Sequence, residues 1–383
     1  MDSAEGILNG GVLRGGWRLT GILRLLNGTQ TLGRSRSFWS AVGLVLVIAS
    51  IFGITSNPFQ IGNAAYFLVW TFMALGLCVM WGYAGILSFG QTAFFGLAGY
   101  AYSVITINFG DSSGLTLMAL LVSLGVTAMF AGFVGYFMFY GGVTDVFVAI
   151  ITLATTLVFE TFLAQTAGPE WSIGKARLNG FNGMTGMPQL AIRWLGSEVR
   201  LDGRLLFFVL LVAVTVVYLG LRILVNSRFG RALVAIRENP LRAAMLGFNV
   251  RAHQLVAFVI GSTLAGLSGV MYVAWGQYIT PSSMGLYSAV LPVIWVAVGG
   301  RKDLTAALIG TLVVLYLSQA LAIYGSQYAL VLLGAILLAV VMLAPDGFVV
   351  SAARGLLKWR HTTVLGRRRT DPAESSKKHA DAR

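Results

Sequence analysis

Three long stretches of this chain contain no Asp, Glu, Lys, Arg or His: residues 37–110, 254–300 and 304–345. Each has room for at least two helical spans of roughly 20 residues. A soluble globular chain is about 25% charged. This one is 11% charged and 57% hydrophobic, too apolar over 383 residues to keep its surface wet. The pattern predicts an all-α, polytopic transmembrane helical bundle.

The apolar runs divide into ten expected spans, at 38–56, 62–81, 85–109, 115–139, 146–166, 204–226, 254–278, 286–300, 304–323 and 326–345. Basic loops face the cytoplasm. Placing Arg14, Arg18, Arg24, Arg34 and Arg36 inside puts the segment 228–253, the pair Arg301 and Lys302, and the basic C-terminal tail inside as well. Both termini are then expected in the cytoplasm and the loop 167–203 outside. The chain divides into a basic cytoplasmic segment (1–37), the transmembrane domain (38–345) and a basic, disordered tail (346–383). This asymmetry accounts for the net charge of +13 without nucleic acid as a partner.

Glycine is abundant, with 47 residues. Small residues let helix backbones approach closely in lipid. Gly261, Ala265 and Gly269 form one such stripe, and Ser123, Thr127, Ala131 and Gly135 another. Both are read first as seams within the bundle, and alternatively as a seam to a second membrane subunit. The stretch "GYAGILSFGQTAFFGLAGY" (82–100) is too rich in glycine for a regular helix, and broken helices in membranes line protein or water-filled cavities. Its polar groups Ser88, Gln91 and Thr92 are candidates for the lining of a path. Thr152, Thr156 and Glu160 share one face of the fifth span and form a second candidate strip. Glu160 is the acidic residue within an apolar span, and the alternative is that it snorkels to the interface.

Signatures of covalent chemistry are missing. A phosphate-cradling loop reads GxxxxGK[ST], whereas Gly174-Lys175 is followed by Ala176. There is no GxSxG or HExxH. His253, His361 and His379 are scattered, so no metal-ligand cluster forms, and the single Cys78 excludes a disulfide framework. No cofactor is expected on this chain.

One charged stretch interrupts the hydrocarbon: "GRALVAIRENPLRAAMLGFNV" (230–250). Leu233, Ile236, Leu241, Ala244, Met245 and Phe248 fall near helical spacing, with Arg231, Arg237, Glu238 and Arg242 elsewhere. Pro240 lacks an N–H and pushes Asn239 out of the helical region, so the expectation is a short helix, a break, and a second short helix beginning at Pro240. Gly247 then lets the chain turn back. Such a segment either lies on anionic lipid or docks a cytoplasmic partner.

The stretch resembles the cytoplasmic coupling segment of ABC-importer permeases of the branched-chain amino acid family. "GYAGILSFGQTAFFGLAGY", "FVAIITLATTLVFE" (147–160) and "VGGRKDLTAALIGTLVV" (298–314) are similar to the same family, in the family's order. The resemblance implies one of two non-identical permeases in a bacterial inner membrane. It would work with two cytoplasmic ATPases carrying ATP and Mg, and with a periplasmic binding protein. Arg231, Ile236, Arg237, Glu238, Asn239, Pro240, Arg242, Ala243, Ala244 and Gly247 would form the coupling surface. The general importer motif begins Glu-Ala-Ala, with its Gly four residues after the second Ala. This chain has Leu241-Arg242-Ala243 there, so the acidic role does not transfer. The loop "GGRKDL" also departs from the family's "GGxGTL". "VIWVAVGGR" (293–301) is similar to permeases for urea and short amides, which leaves that substrate class as the alternative. From another class, the rival is a stand-alone channel or secondary transporter, which would require a coupling-ion site and internal repeats.

Overall fold

The computed structural model describes residues 24–351 except 34, 111–112, 145, 195–196, 325–328 and 345–346. Arg14, Arg18, Arg34 and the tail after 351 lie outside the described residues. In chain order the first helices are α1 (Arg36–Thr55), α2 (Pro58–Leu77), α3 (Gln91–Phe109), α4 (Ser113–Tyr140), α5 (Val146–Ala164) and α6 (Gly203–Asn226). Two short helices follow, α7 (Arg228–Glu238) and α8 (Pro240–Met245). The chain then returns through α9 (Val250–Gly276), α10 (Leu286–Gly299), α11 (Leu304–Tyr324) and α12 (Ala329–Leu343).

Every expected span contains a helix, but not every helix is long enough to cross. Among the described residues eight are long and apolar enough, and α10 and α12 are shorter. The 14 residues of α10 reach about 21 Å at 1.5 Å each, against roughly 30 Å of hydrocarbon. The third span also starts later than expected. α2 runs on through a π-helical turn, Cys78–Tyr83, and the chain is non-helical from 84 to 90 before α3 begins at Gln91. The break is therefore confined to the first part of the glycine-rich stretch. Gly96 and Gly99 lie within a regular helix, where they admit Met284 and Ile279.

α9 is the central post, packed against α2, α3 and α4. Gly261 lies against Met80 Sδ and the Gly76 carbonyl, Ala265 is fully buried, and Gly269 lies against the Phe95 carbonyl. The stripe on α4 meets the same post: Gly266 faces Thr127, and Gly135 faces Leu255 and Phe258. Both stripes are seams within this chain. Close backbone approach matters here because lipid tails are as apolar as the side chains, so packing rather than water expulsion holds helices together.

At one end the loop 167–203 carries short antiparallel pairs, β1 (Ser172–Ile173) with β2 (Ala176–Arg177) and β4 (Ala191–Trp194) with β5 (Ser197–Arg200). β3 (Met184–Thr185) pairs with β6 (Tyr278–Ile279) and ties this loop to the end of α9. The opposite end gathers α7, α8, the 300–303 turn and residues 24–33.

That last segment is not a loose basic extension. It is bound to the bundle by Arg222, which is fully buried. Arg222 Nε donates to the Leu26 carbonyl at 2.6 Å, Nη1 to the Tyr218 hydroxyl at 2.8 Å and Nη2 to the Gly33 carbonyl. Its guanidinium also lies over the rings of Phe38 and Trp39. Asn226 accepts from the Gln30 amide at 3.0 Å, Asp303 from that of Leu32, and Tyr83 donates to the Gln30 carbonyl at 3.1 Å. A buried charge without such partners would cost several kcal/mol. Sequence reasoning passes over Arg222, although a cation inside an apolar run is itself a signal.

Candidate functional site

Ser227 caps α7 by accepting from the Gly230 amide. Asn239 is extended (φ −159°, ψ 102°), ends α7 and caps α8 by accepting from the Arg242 amide at 2.9 Å. Pro240 occupies the first helical position, where its missing N–H is no loss. α8 closes with the Phe248 amide bonded to the Ala243 carbonyl and the Gly247 amide to that of Ala244. This closure places Gly247 at φ +86°, which suits glycine. Asn249 then caps α9. Helix, break, helix and turn all follow the residues expected to make them.

The two helices face opposite ways. Ala232, Leu233 and Ile236 of α7 are buried against the bundle. On α8 and its turn, Leu241, Met245 and Leu246 are 76%, 86% and 76% exposed, and Ala244 is exposed beside them. Only Ala243 turns inward. The apolar positions over 233–248 thus fall on two faces, one on each side of the expected break at Asn239.

The charged residues divide as well. Arg242 is exposed, and among the described residues no carboxylate pairs with it. Arg231 is exposed while its Nη1 donates to the Asn226 carbonyl at 2.9 Å. Arg237 does not point outward as a docking residue should. Its Nη1 donates to the Gly82 carbonyl in the π-helical turn, and its Nη2 lies 2.6 Å from Glu238 Oε1. That bond, and the guanidinium charge, hold the exposed Glu238 carboxyl below the usual carboxylate range. A cavity of about 300 Å³ opens here, between Trp81, Gly85, Arg237 and the Arg301–Lys302 turn.

The break itself is held by the fifth span. Thr152 Oγ1 accepts from the Phe89 amide at 3.2 Å, and Thr156 Oγ1 donates to the Phe89 carbonyl at 3.3 Å. These hydroxyls also bond their own helix, at Ala149 and Thr152. Ser88 Oγ accepts from the Gly90 amide. Ser88, Thr152 and Thr156 therefore satisfy backbone that the break sets free. Glu160 stands apart from them. It is half-buried, with Oε1 2.9 Å from where a Cβ on Gly285 would be, at the start of α10. A helix N-terminus favours an anion there.

Gln91 and Thr92 differ in having unused valence. Both are buried, and Gln91 Oε1 and Thr92 Oγ1 find no hydrogen-bond partner among the described residues. The same holds for Ser262 Oγ on α9. Gln91 Nε2 reaches Met80 Sδ at 3.1 Å, and Met80 also packs on Gly261, next to Ser262. Buried polar atoms are nearly always paired, so each of these calls for a cause. Ser262 has no sequence signal, since its burial is a tertiary feature.

The family of the branched-chain amino acid transport system permease component matches residues 59–341, a region that takes in the break, the buried polar set and both short helices. The chain belongs to this family. The permease is similar to the high-affinity branched-chain amino acid transport system permease protein LivM of Escherichia coli (strain K12). They are 25% identical over 336 residues, covering 84% of this chain and 77% of that protein. The LivM of Salmonella typhimurium is 25% identical over 317 residues, 79% of this chain and 72% of its own. A probable LivH permease of Methanocaldococcus jannaschii is 30% identical over 157 residues, 37% of this chain and 47% of its own. No solved structure matches. The permease is a multi-pass membrane protein, and its family membership turns the question from what it is to how its short helices and buried polar set serve transport.

Proposed function

We propose that this permease moves branched-chain amino acids across a bacterial inner membrane, driven by separate ATPase subunits that dock on α8. The observation that carries the reading is the exposed apolar tip, Leu241, Met245 and Leu246, held rigidly by caps on both sides. Binding at a lipid surface scales with buried apolar area, and a six-residue helix offers little. A protein cleft can enclose such a tip from several sides. No loop of the GxxxxGK[ST] type occurs in the sequence, so ATP and Mg would sit on the partners. The names of the relatives supply the substrate class.

By the positive-inside rule the end with α7, α8, Arg301 and Lys302 is cytoplasmic. The loop 167–203 then meets a periplasmic binding protein, and a second, homologous permease completes the membrane part. Gln91, Thr92 and Ser262 line the path, where a passing ligand or water would fill their empty hydrogen-bonding positions. Nucleotide on the ATPases would shift the bundle between two arrangements by binding one better than the other.

Reconstitution tests this reading. Vesicles holding the permease, its partner permease, the ATPases and the loaded binding protein should accumulate labelled leucine only with ATP. The double substitution Leu241→Asp, Met245→Asp should abolish both ATPase co-purification and uptake. ATPase binding that survives this change would refute docking on α8. ATP-dependent uptake of urea in place of leucine would overturn the substrate class alone.

A further inference from the structure

The π-helical turn Cys78–Tyr83 lies where the short helices meet the membrane part. Single π turns inside α-helices mark functional positions because one widened turn leaves backbone carbonyls free. Here the Gly82 carbonyl receives the guanidinium of Arg237, in the last turn of α7. Behind it, Gly85 at φ +78° admits the Arg237 side chain, with the Cγ 3.0 Å from where a Cβ would be. Beside it Cys78 Sγ donates to the Arg301 carbonyl at 3.3 Å, and Arg301 covers Trp81. The same turn contributes Met80, whose sulfur accepts from Gln91 and packs on Gly261. Only Trp81 thus separates the carbonyl that Arg237 holds from Met80, whose side chain touches Gln91.

We propose that Arg237 is a positioning residue that transmits displacement of α7 and α8, through the Gly82 carbonyl and the π-helical turn, to Gln91 at the head of α3. The inference rests on the docking and path readings above and deepens them. Three features equip Arg237 for the role. It is the outermost residue of α7 that turns inward. Its Nη1 bonds the backbone of another element, while its side-chain partner, Glu238, lies on its own helix. Its target lies in the π-helical turn that continues α2, and α2 is packed against α9. A push on α8 therefore does not have to travel through the lipid-facing helices.

The test uses the reconstituted assembly, with a cysteine in place of Thr92 and N-ethylmaleimide as probe. The parent chain gives the blank, since its single cysteine, Cys78, is buried. In T92C the labelling rate should differ about tenfold between nucleotide-free and ATP-bound assemblies. Adding Arg237→Ala should remove that difference and leave ATPase co-purification unchanged. In the chain without T92C, Arg237→Ala should lower uptake about tenfold, and Arg237→Lys should restore part of it through one ammonium N–H to the Gly82 carbonyl. A defect of folding alone would lower assembly along with uptake, which separates it from lost transmission. If the R237A double variant keeps the nucleotide response, the proposal falls while the path reading stands. If R237A loses the ATPases, Arg237 belongs to the docking surface and the proposal is wrong. If T92C alone shows no response, the path reading fails and takes this proposal with it.

Discussion

α7 and α8 are neighbours in sequence, both amphipathic, both capped by a side chain at the N-terminus, and they do opposite things with their apolar residues. α7 buries Ala232, Leu233 and Ile236 in its own bundle, whereas α8 leaves Leu241 and Met245 uncovered. Periodicity reports that an apolar face exists. It does not report what covers the face. That depends on where each helix lies on its own side of Asn239, whose extended backbone separates them. A substitution on α7 should therefore act on the fold, and the same substitution on α8 on assembly.

The largest effects should come from the apolar anchors. Leu233→Asp or Ile236→Asp places a carboxylate where no partner waits and should prevent accumulation of the permease in the membrane. Leu233→Ala should cost about 2–5 kcal/mol, read as a lower unfolding temperature in detergent. Leu241→Ala and Met245→Ala should leave that temperature unchanged. They should weaken ATPase association by about 2 kcal/mol each, roughly thirtyfold. Loss of accumulation from either α8 substitution would erase the contrast.

Adjacent alanines give the sharpest version of the test. Ala243 is buried and Ala244 exposed. Ala243→Trp forces an indole into closed space and should disrupt the fold at about 1–3 kcal/mol or more. Ala244→Trp should be folded and assembly-deficient. Equal behaviour of the two would mean that α8 rotates when its partner binds.

Much of this layout is legible in sequence. Charge-free runs mark the spans, Asn239-Pro240 marks the break, and Gly247 marks the turn, because each acts through local chemistry. The glycine-rich stretch signals the broken helix, but not where it breaks. Glycine's freedom decides only at Gly85, and Gly96 and Gly99 are there for close packing. The inward turn of Arg237 is not legible. Its partner is a backbone carbonyl more than 150 residues away, and a carbonyl has no residue type to recognise. The strip Thr152, Thr156 and Glu160 is correctly one helix face, yet it splits by function. The break reaches Phe89 beside the threonines, and α10 begins beside the carboxylate.

Intermediate effects should follow from geometry and charge at the tip. Gly247→Ala meets open space but keeps φ +86°, a conformation that costs an L-residue about 1–2 kcal/mol. It should re-aim α8 and lower ATPase association without loss of the membrane part. Arg242→Lys keeps the charge and removes the two-pronged donor pair. Association should drop by about 1 kcal/mol, roughly fivefold, with membrane insertion unaffected because lysine and arginine are near equivalents for anionic lipid. An unchanged association constant would assign Arg242 to lipid.

The smallest effect separates the two partners of Arg237. Glu238 is exposed, and its carboxyl is held below its ordinary range first by the hydrogen bond from Arg237 and then by that charge. A depressed folded-state value means the stabilisation is fully present above the carboxyl's unfolded value and is lost as pH falls through the folded one. Glu238→Gln should therefore barely shift the unfolding temperature at pH 7, since exposed ion pairs contribute little. The difference between parent and variant should shrink further in acid. Uptake at pH 7 should be close to normal, because the Gly82 carbonyl still holds the guanidinium. Arg237→Ala removes both contacts and should show the full loss. If Glu238→Gln alone reproduces the Arg237→Ala defect at pH 7, and parent uptake also declines as acid protonates Glu238, the ion pair rather than the carbonyl positions Arg237. The inner face of α7 would then depend on a residue of its outer face.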